Sequence, residues 1–167
     1  VEGAVGDWSA LYLFEDKGIV IQEAVMGVML FNGTMCIGRL LGNTIGKHVT
    51  SKQVVVGGYL LGAIAMALIV FLPGYASMYT YLLLGISLAM VVPNLFSAMG
   101  EQNVIPMTQA VATSTMLGYM GILMGPALIG FIAHGTSLTI AFIVLTALLV
   151  ISAGIGKYAY HLMSKDC

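Results

Sequence analysis

Few side chains in this sequence could do chemistry, and most of them lie inside long apolar segments. Two acids, Glu2 and Asp7, fall in an apolar stretch at residues 1–14 that predicts a partial helix ending near Phe14. At a rise of 1.5 Å per residue, Glu2 lies about 18 Å from that end, near mid-bilayer, and Asp7 points about 140° away from it. We therefore expect that these acids do not act as a carboxylate pair.

Glu2 is the candidate for carrying a proton. A carboxyl group that lies at mid-bilayer depth is desolvated, and desolvation favours its protonated form. Gly6 and Ser9 share its helix face, so Ser9 joins Glu2 as a candidate for lining a cavity. An acid that only ties helices together by a hydrogen bond is an equally good interpretation.

The next apolar segment carries a polar stripe. At about 100° per residue, four residues fall within one arc: Asn32, Cys36, Arg39 and Asn43. Gly27, Thr34 and Gly38 lie roughly opposite, so one side is polar and the other packs. A polar stripe in hydrocarbon is costly unless it faces protein or a water-filled cavity.

The members of this stripe have different expected roles. Asn32 either lines a pathway or makes a plain interhelical hydrogen bond. Arg39 is close enough to one membrane edge to extend its head group there, which favours a structural or gating role over substrate contact.

A third set of polar groups surrounds a proline. Pro93 interrupts a segment at residues 78–98, where it leaves a carbonyl one turn earlier without its donor and bends the helix. Asn94 lies beside it, and Thr115 and Tyr119 share one side of the following segment. We expect these three side chains to line a cavity, although each alone is more often a contact between helices.

Other chemistry finds no support in the residue pattern. Cys36 and Cys167 lack the spacing of metal ligands, and the three histidines, His48, His134 and His161, are far apart in sequence. The sequence predicts no metal site and no cofactor. Signature motifs of hydrolases and of nucleotide-binding loops are also missing, so we do not expect an enzyme.

The elements that position these groups are membrane-spanning helices. The chain has 167 residues, of which 59% are hydrophobic and 8% charged. Crossing a bilayer takes roughly 20 apolar residues as a helix. The expected architecture is an all-α membrane protein with a partial helix at 1–14, five spans at about 24–45, 54–72, 78–98, 111–133 and 138–156, and a tail at 157–167.

The distribution of basic residues predicts the orientation in the bilayer. Lys47, Lys52, Lys157 and Lys165 fall on one side, whereas Lys17 on the other side is offset by two acids. Because lysine-rich short loops stay in the cytoplasm, the carboxy terminus is expected there. The net charge of −1 provides no basic patch for binding nucleic acid. The expected surroundings of the apolar helices are a lipid bilayer.

Three stretches resemble the carboxy-terminal half of a transporter of the major facilitator superfamily. EGAVGDWSALYL at 2–13 is similar to the end of that family's seventh helix, GRLLGN at 38–43 to the close of the eighth, and GYMGILMGPALIGFIA at 118–133 to the eleventh. The last stretch contains the family's GP repeat motif. After Asn43 the chain departs from the family pattern, because the usual acid and arginines are replaced by Asn43, Lys47 and His48.

The resemblance implies a six-helix bundle whose first helix is truncated and whose amino-terminal partner half is missing. It implies a cytoplasmic gating motif at Gly38, Arg39, Gly42 and Asn43, and a helix-packing motif at Gly121, Gly125, Pro126 and Gly130. Two such halves enclose a central cavity and alternate its access to the two sides.

The function expected from this resemblance is secondary active transport. The expected solute is small and polar, its transport is proton-coupled, the membrane is a bacterial inner membrane, and the relatives are sugar-permease-like. The alternative is a scaffold or assembly subunit that transports nothing and in which every polar group merely holds helices together.

Overall fold

The structure, a computed structural model, describes residues 1–45, 49–101 and 105–163 and is helical almost throughout. Within these ranges the chain forms seven helices: α1 (Glu2–Glu15), α2 (Ile21–Ile45), α3 (Ser51–Phe71), α4 (Gly74–Ala89), α5 (Val91–Glu101), α6 (Met107–Gly135) and α7 (Leu138–Met163). Within the described ranges, five segments are long and apolar enough to cross a membrane, with α4 and α5 forming one of them. The expectation of an all-α membrane protein is confirmed.

The helices run further than the apolar segments that predicted them. α2 begins at Ile21 rather than near residue 24, and α6 extends at both ends beyond 111–133. α7 continues to Met163, so the beginning of the expected tail is helical. Lys157 and Tyr158 carry polar ends on long apolar stems, and such residues continue a helix into the membrane interface.

The span at 78–98 is divided into two helices at Met90, three residues before Pro93. The backbone N–H of Asn94 donates to the Met90 carbonyl at 3.2 Å, and the Asn94 side-chain amide donates to the same oxygen at 2.8 Å. Pro93 has no N–H to donate one turn back, which weakens the helix at this point. The Asn94 side chain therefore supports the junction between α4 and α5.

α4 lies at the centre of the bundle because glycines let α2 and α3 approach it closely. Gly85 of α4 lies directly against Thr34 and the Phe31 carbonyl of α2. On the other side, a Cβ on Gly58 of α3 would lie only 2.7 Å from the Ser87 carbonyl oxygen. The predicted packing side of α2 and the side of α3 that carries Gly58 thus both make interhelical contacts.

The loop between α1 and α2 and the first turn of α2 contact the ends of three other helices. The Lys17 Nζ donates to the carbonyls of Val70 at 2.6 Å and Leu72 at 2.9 Å, where α3 ends. Thr139 of α7 donates to the Asp16 carboxylate at 3.0 Å, and Tyr75 of α4 donates to Glu23.

The ammonium group of Lys17 occupies a partly apolar site. It lies 5.3 Å from the centre of the Tyr12 ring. Partial burial lowers the pKa of Lys17, and the Asp16 carboxylate acts in the opposite direction. Sequence reasoning used this lysine only to assign topology and did not predict that it caps α3.

Replacing Gly58 by alanine should destabilise the bundle. Both Gly58→Ala and Gly57→Ala raise helix propensity by about 1 kcal/mol, but only the Gly58 variant places a methyl group against a neighbouring backbone. Overpacking of this kind costs about 1–3 kcal/mol. Thermal unfolding in detergent should show a lower midpoint for Gly58→Ala than for Gly57→Ala, and equal midpoints would contradict the close contact.

Replacing Lys17 by methionine should also lower stability. The Val70 and Leu72 carbonyls would lose their donor, at a cost of about 1–3 kcal/mol. Lys52→Met is the matched control, because Lys52 is exposed at the start of α3. If both variants unfold at the same temperature, Lys17 does not stabilise the end of α3.

Candidate functional site

An ion pair between α1 and α2 lies at the centre of the candidate site. Arg39 NH2 and Glu2 Oε2 are 3.4 Å apart, and the two side chains are 47% and 38% exposed. Sequence reasoning placed Glu2 at mid-bilayer as a desolvated acid and Arg39 near the membrane edge. The structure corrects this separation, because the two side chains are partners and neither is fully buried.

The pairing follows from the way that α1 and α2 are connected. A short loop joins the two helices, which run in opposite directions, so residues at similar distances from the loop come to similar depths. Glu2 lies about 20 Å from the loop along α1, and Arg39 about 27 Å along α2. The long arginine side chain bridges the difference. This similar distance from the loop, within the reach of an arginine side chain, is the signal that sequence reasoning missed.

The ion pair lines a cavity of about 440 Å³ that is enclosed by residues of several helices. Tyr59 of α3 and Ser152 of α7 add two hydroxyl groups to its wall. Most of the remaining side chains are aliphatic: Leu88, Val91, Val92, Leu117, Ile122 and Leu149. The cavity therefore combines a charged end with a largely apolar wall, at a volume within the usual range for small-ligand sites.

A second cavity, of about 410 Å³, lies between α5 and α6. It contains two of the predicted site residues, Thr115 and Tyr119, together with Leu95, Phe96 and Met99. Val92, Gly118 and Ile122 belong to the walls of both cavities. The structure thus brings Thr115 and Tyr119 close to the ion pair, through a shared wall.

Three other predicted cavity residues have different surroundings. Ser9 is 0% exposed between the helices and lines none of the cavities described here, which corrects its prediction as a cavity residue. The exposed Asn32 donates to the Val28 carbonyl of its own helix at 3.0 Å. The partly exposed Asn94 is bound to Met90, as described above.

The predicted gating motif divides into packing residues and one charge. Gly38 lies against Ala89 and Ile86 of α4, and Gly42 lies against Met90 at the junction between α4 and α5. Arg39, between them in sequence, points instead to Glu2. The side chain of Asn43 and residues 46–48 are outside the part of the chain that the structure describes.

The predicted packing motif of α6 makes contact at only one end. The Trp8 Nε1 donates to the Pro126 carbonyl at 3.0 Å, and a Cβ on Gly130 would lie 2.7 Å from the Trp8 ring. A Cβ on Gly121 or Gly125 would meet nothing within 4 Å. Pro126 and Gly130 therefore receive Trp8, a contact that sequence reasoning missed, whereas Gly121 and Gly125 face open space.

Comparison with curated proteins identifies three bacterial relatives. The chain is 41% identical over 142 residues to an uncharacterised MFS-type transporter of Yersinia pestis, a match that covers 84% of the chain and 37% of the relative. The match to the membrane protein MosC of Rhizobium meliloti is 29% identical over 153 residues and covers 91% of the chain and 38% of MosC. The chain corresponds to part of an MFS-type transporter.

A third relative agrees with this assignment. An uncharacterised transporter of Sinorhizobium fredii is 28% identical over 146 residues, a match that covers 86% of the chain and 38% of the relative. The predicted resemblance to the major facilitator superfamily is confirmed, and the chain spans less than two fifths of the length of these relatives. No family model matches the chain. No solved structure matches it either.

The contact between Trp8 and α6 of this MFS-type chain can be tested with its own fluorescence, since Trp8 is its single tryptophan. Gly130→Ala should displace the indole ring and make it more accessible to acrylamide quenching. Gly121→Ala is the control, because its methyl group would enter open space. Unchanged emission and quenching in Gly130→Ala would show that the ring does not rest on Gly130.

Proposed function

We propose that the chain is the carboxy-terminal half of a secondary active transporter that moves a small polar solute by alternating access. The observation that carries the proposal is the Glu2–Arg39 pair at the wall of a cavity. Charged residues inside membrane-spanning segments are costly and mark pathways for solutes or protons. The relatives named as transporters support the same class of function.

The arrangement of the helices supports a second half on one side. Four of the polar groups that line the cavities, Glu2, Arg39, Thr115 and Tyr119, lie on α1, α2 and α6. Of the described residues of α6, only Ala110 and Ile129 are buried. α3 and α7 pack together behind α4. We propose that an amino-terminal six-helix half covers α6 and closes the cavity.

We propose that Glu2 couples transport to protons. Its bond to Arg39 is single and 3.4 Å long, so the pair lacks the two parallel bonds of the strongest carboxylate–guanidinium contacts. Protonation of Glu2 would remove the negative charge that attracts Arg39. The helices α1 and α2 could then move relative to each other. The transporter would lie in a bacterial inner membrane with its carboxy terminus in the cytoplasm, as the lysine distribution predicts.

Uptake into proteoliposomes by the full-length transporter tests this role of Glu2. A panel of hexoses, polyols and amino acids would first be screened for a transported solute. Glu2→Gln should then reduce proton-driven uptake at least tenfold and should make any remaining flux insensitive to a pH gradient. Asp7→Asn is the matched control, since Asp7 is an exposed acid of the same helix.

Two results would contradict the proposal in different ways. Unchanged proton-driven uptake in Glu2→Gln would exclude Glu2 as the coupling residue. The absence of flux for every solute, together with a stable copurifying partner, would favour the scaffold interpretation.

A further inference from the structure

The two cavities near the ion pair share a wall, and one has a charged end whereas the other is largely apolar. Val92, Gly118 and Ile122 separate them and contribute to both walls. The charged end is formed by Glu2 and Arg39, and the far end by Leu95, Phe96 and Met99. The combination of a charged end and an apolar end specifies the chemistry of a solute more closely than the term small polar solute does.

The charged end offers one positive and one negative group at the same place. The distance of 3.4 Å between them is longer than the roughly 2.7–2.9 Å of a strong charge-assisted hydrogen bond, and both side chains remain accessible from the cavity. A solute with both charges can replace the pair and give each group a new partner. A solute with one charge would separate the pair and leave one of the two groups without a partner, whereas a zwitterion keeps both groups paired.

The rest of the wall favours an apolar body. Besides the ion pair, the hydrogen-bonding side chains of the two walls are five hydroxyls: Tyr59 and Ser152 in the first cavity, and Ser114, Thr115 and Tyr119, all on α6, in the second. The other side chains that line the two cavities are mostly apolar. A hexose carries hydroxyl groups around its whole ring, and those that face Leu88, Val91 or Ile122 would lose their water without a new partner. Each such group costs about 1–3 kcal/mol.

We propose that this site takes a zwitterionic solute with an apolar body. The carboxylate of the solute binds Arg39, its ammonium group binds Glu2, and its apolar part passes Gly118 into the cavity between α5 and α6. The inference rests on the proposed transport function for the use of the site, but binding can be measured separately from transport.

Binding is tested with four probes on the purified full-length transporter, by the shift in unfolding temperature that each causes. L-phenylalanine has both charges and an apolar body, glycine has the charges alone, phenethylamine has one charge with the body, and glucose has neither charge. L-phenylalanine should raise the unfolding temperature, and the other three should raise it less at equal concentration. A shift that is largest for any of those three, or no shift for L-phenylalanine, would overturn the proposal.

The passage between the two cavities is tested by enlarging Gly118. A Cβ at Gly118 would meet nothing within 4 Å, so Gly118→Leu fills the passage without a clash inside the bundle. Gly154→Leu in α7 is the matched control, because Gly154 is exposed, also meets nothing within 4 Å, and lines neither cavity. Both changes improve helix propensity equally.

Gly118→Leu should weaken L-phenylalanine binding at least tenfold, and Gly154→Leu should leave it unchanged. Equal affinities in the two variants would show that the apolar body does not pass Gly118, and would overturn the proposal. Proteoliposome flux distinguishes a failure of this binding proposal from a failure of the proposed transport function. Transport of hexoses without binding of L-phenylalanine would leave a transporter with a different solute, whereas binding without any flux would leave the site and remove the transport function.

Discussion

The bundle depends on the close approach of helix backbones at α4. In lipid, helices gain little from burying apolar side chains against one another, because the hydrocarbon is equally apolar. Association comes from van der Waals contact, and contact over a large area requires that one helix present little side chain to the next. Gly85 of α4 provides this towards α2, and Gly58 of α3 provides it towards α4. A side chain at either position would push a neighbouring helix away from the centre.

This central contact also determines the position of the charged residues. With the small side of α2 held against α4, the opposite side of α2 faces away from the core, and Asn32 and Arg39 lie on that outer side. α1 packs beside α2 and brings Glu2 to Arg39. The position of the ion pair therefore follows from the close contact between α2 and α4 at Gly85, on the opposite side of α2.

The sequence predicted the elements of this structure better than the contacts between them. Apolar runs of sufficient length can hardly form anything but helices in a bilayer, and the two sides of α2 follow from residue spacing alone. The Glu2–Arg39 pair, the bond from Trp8 to Pro126 and the capping of α3 by Lys17 join residues that are 37, 118 and more than 50 positions apart. No periodicity within one segment contains such information.

Residue spacing within α1 predicts that Ser9 and Glu2 share a helix face. It does not predict what that face meets. A helix face that contains a polar residue can turn towards either a neighbouring helix or an opening. Only the packing of α4 against α1 decides between them, and it buries Ser9 while Glu2 stays at the rim. The position of the helix break at Met90 depends in the same way on Asn94 and not on Pro93 alone.

The outer side of α2 has one more consequence, which concerns Cys36. Its thiol is free and exposed, and it lies three residues before Arg39, hence almost one helical turn away on the same surface. A maleimide attached there would stand beside the arginine without any engineered residue. The Cys36 thiol is therefore a natural reporter, because its rate of reaction with a maleimide depends on how accessible that surface is to water.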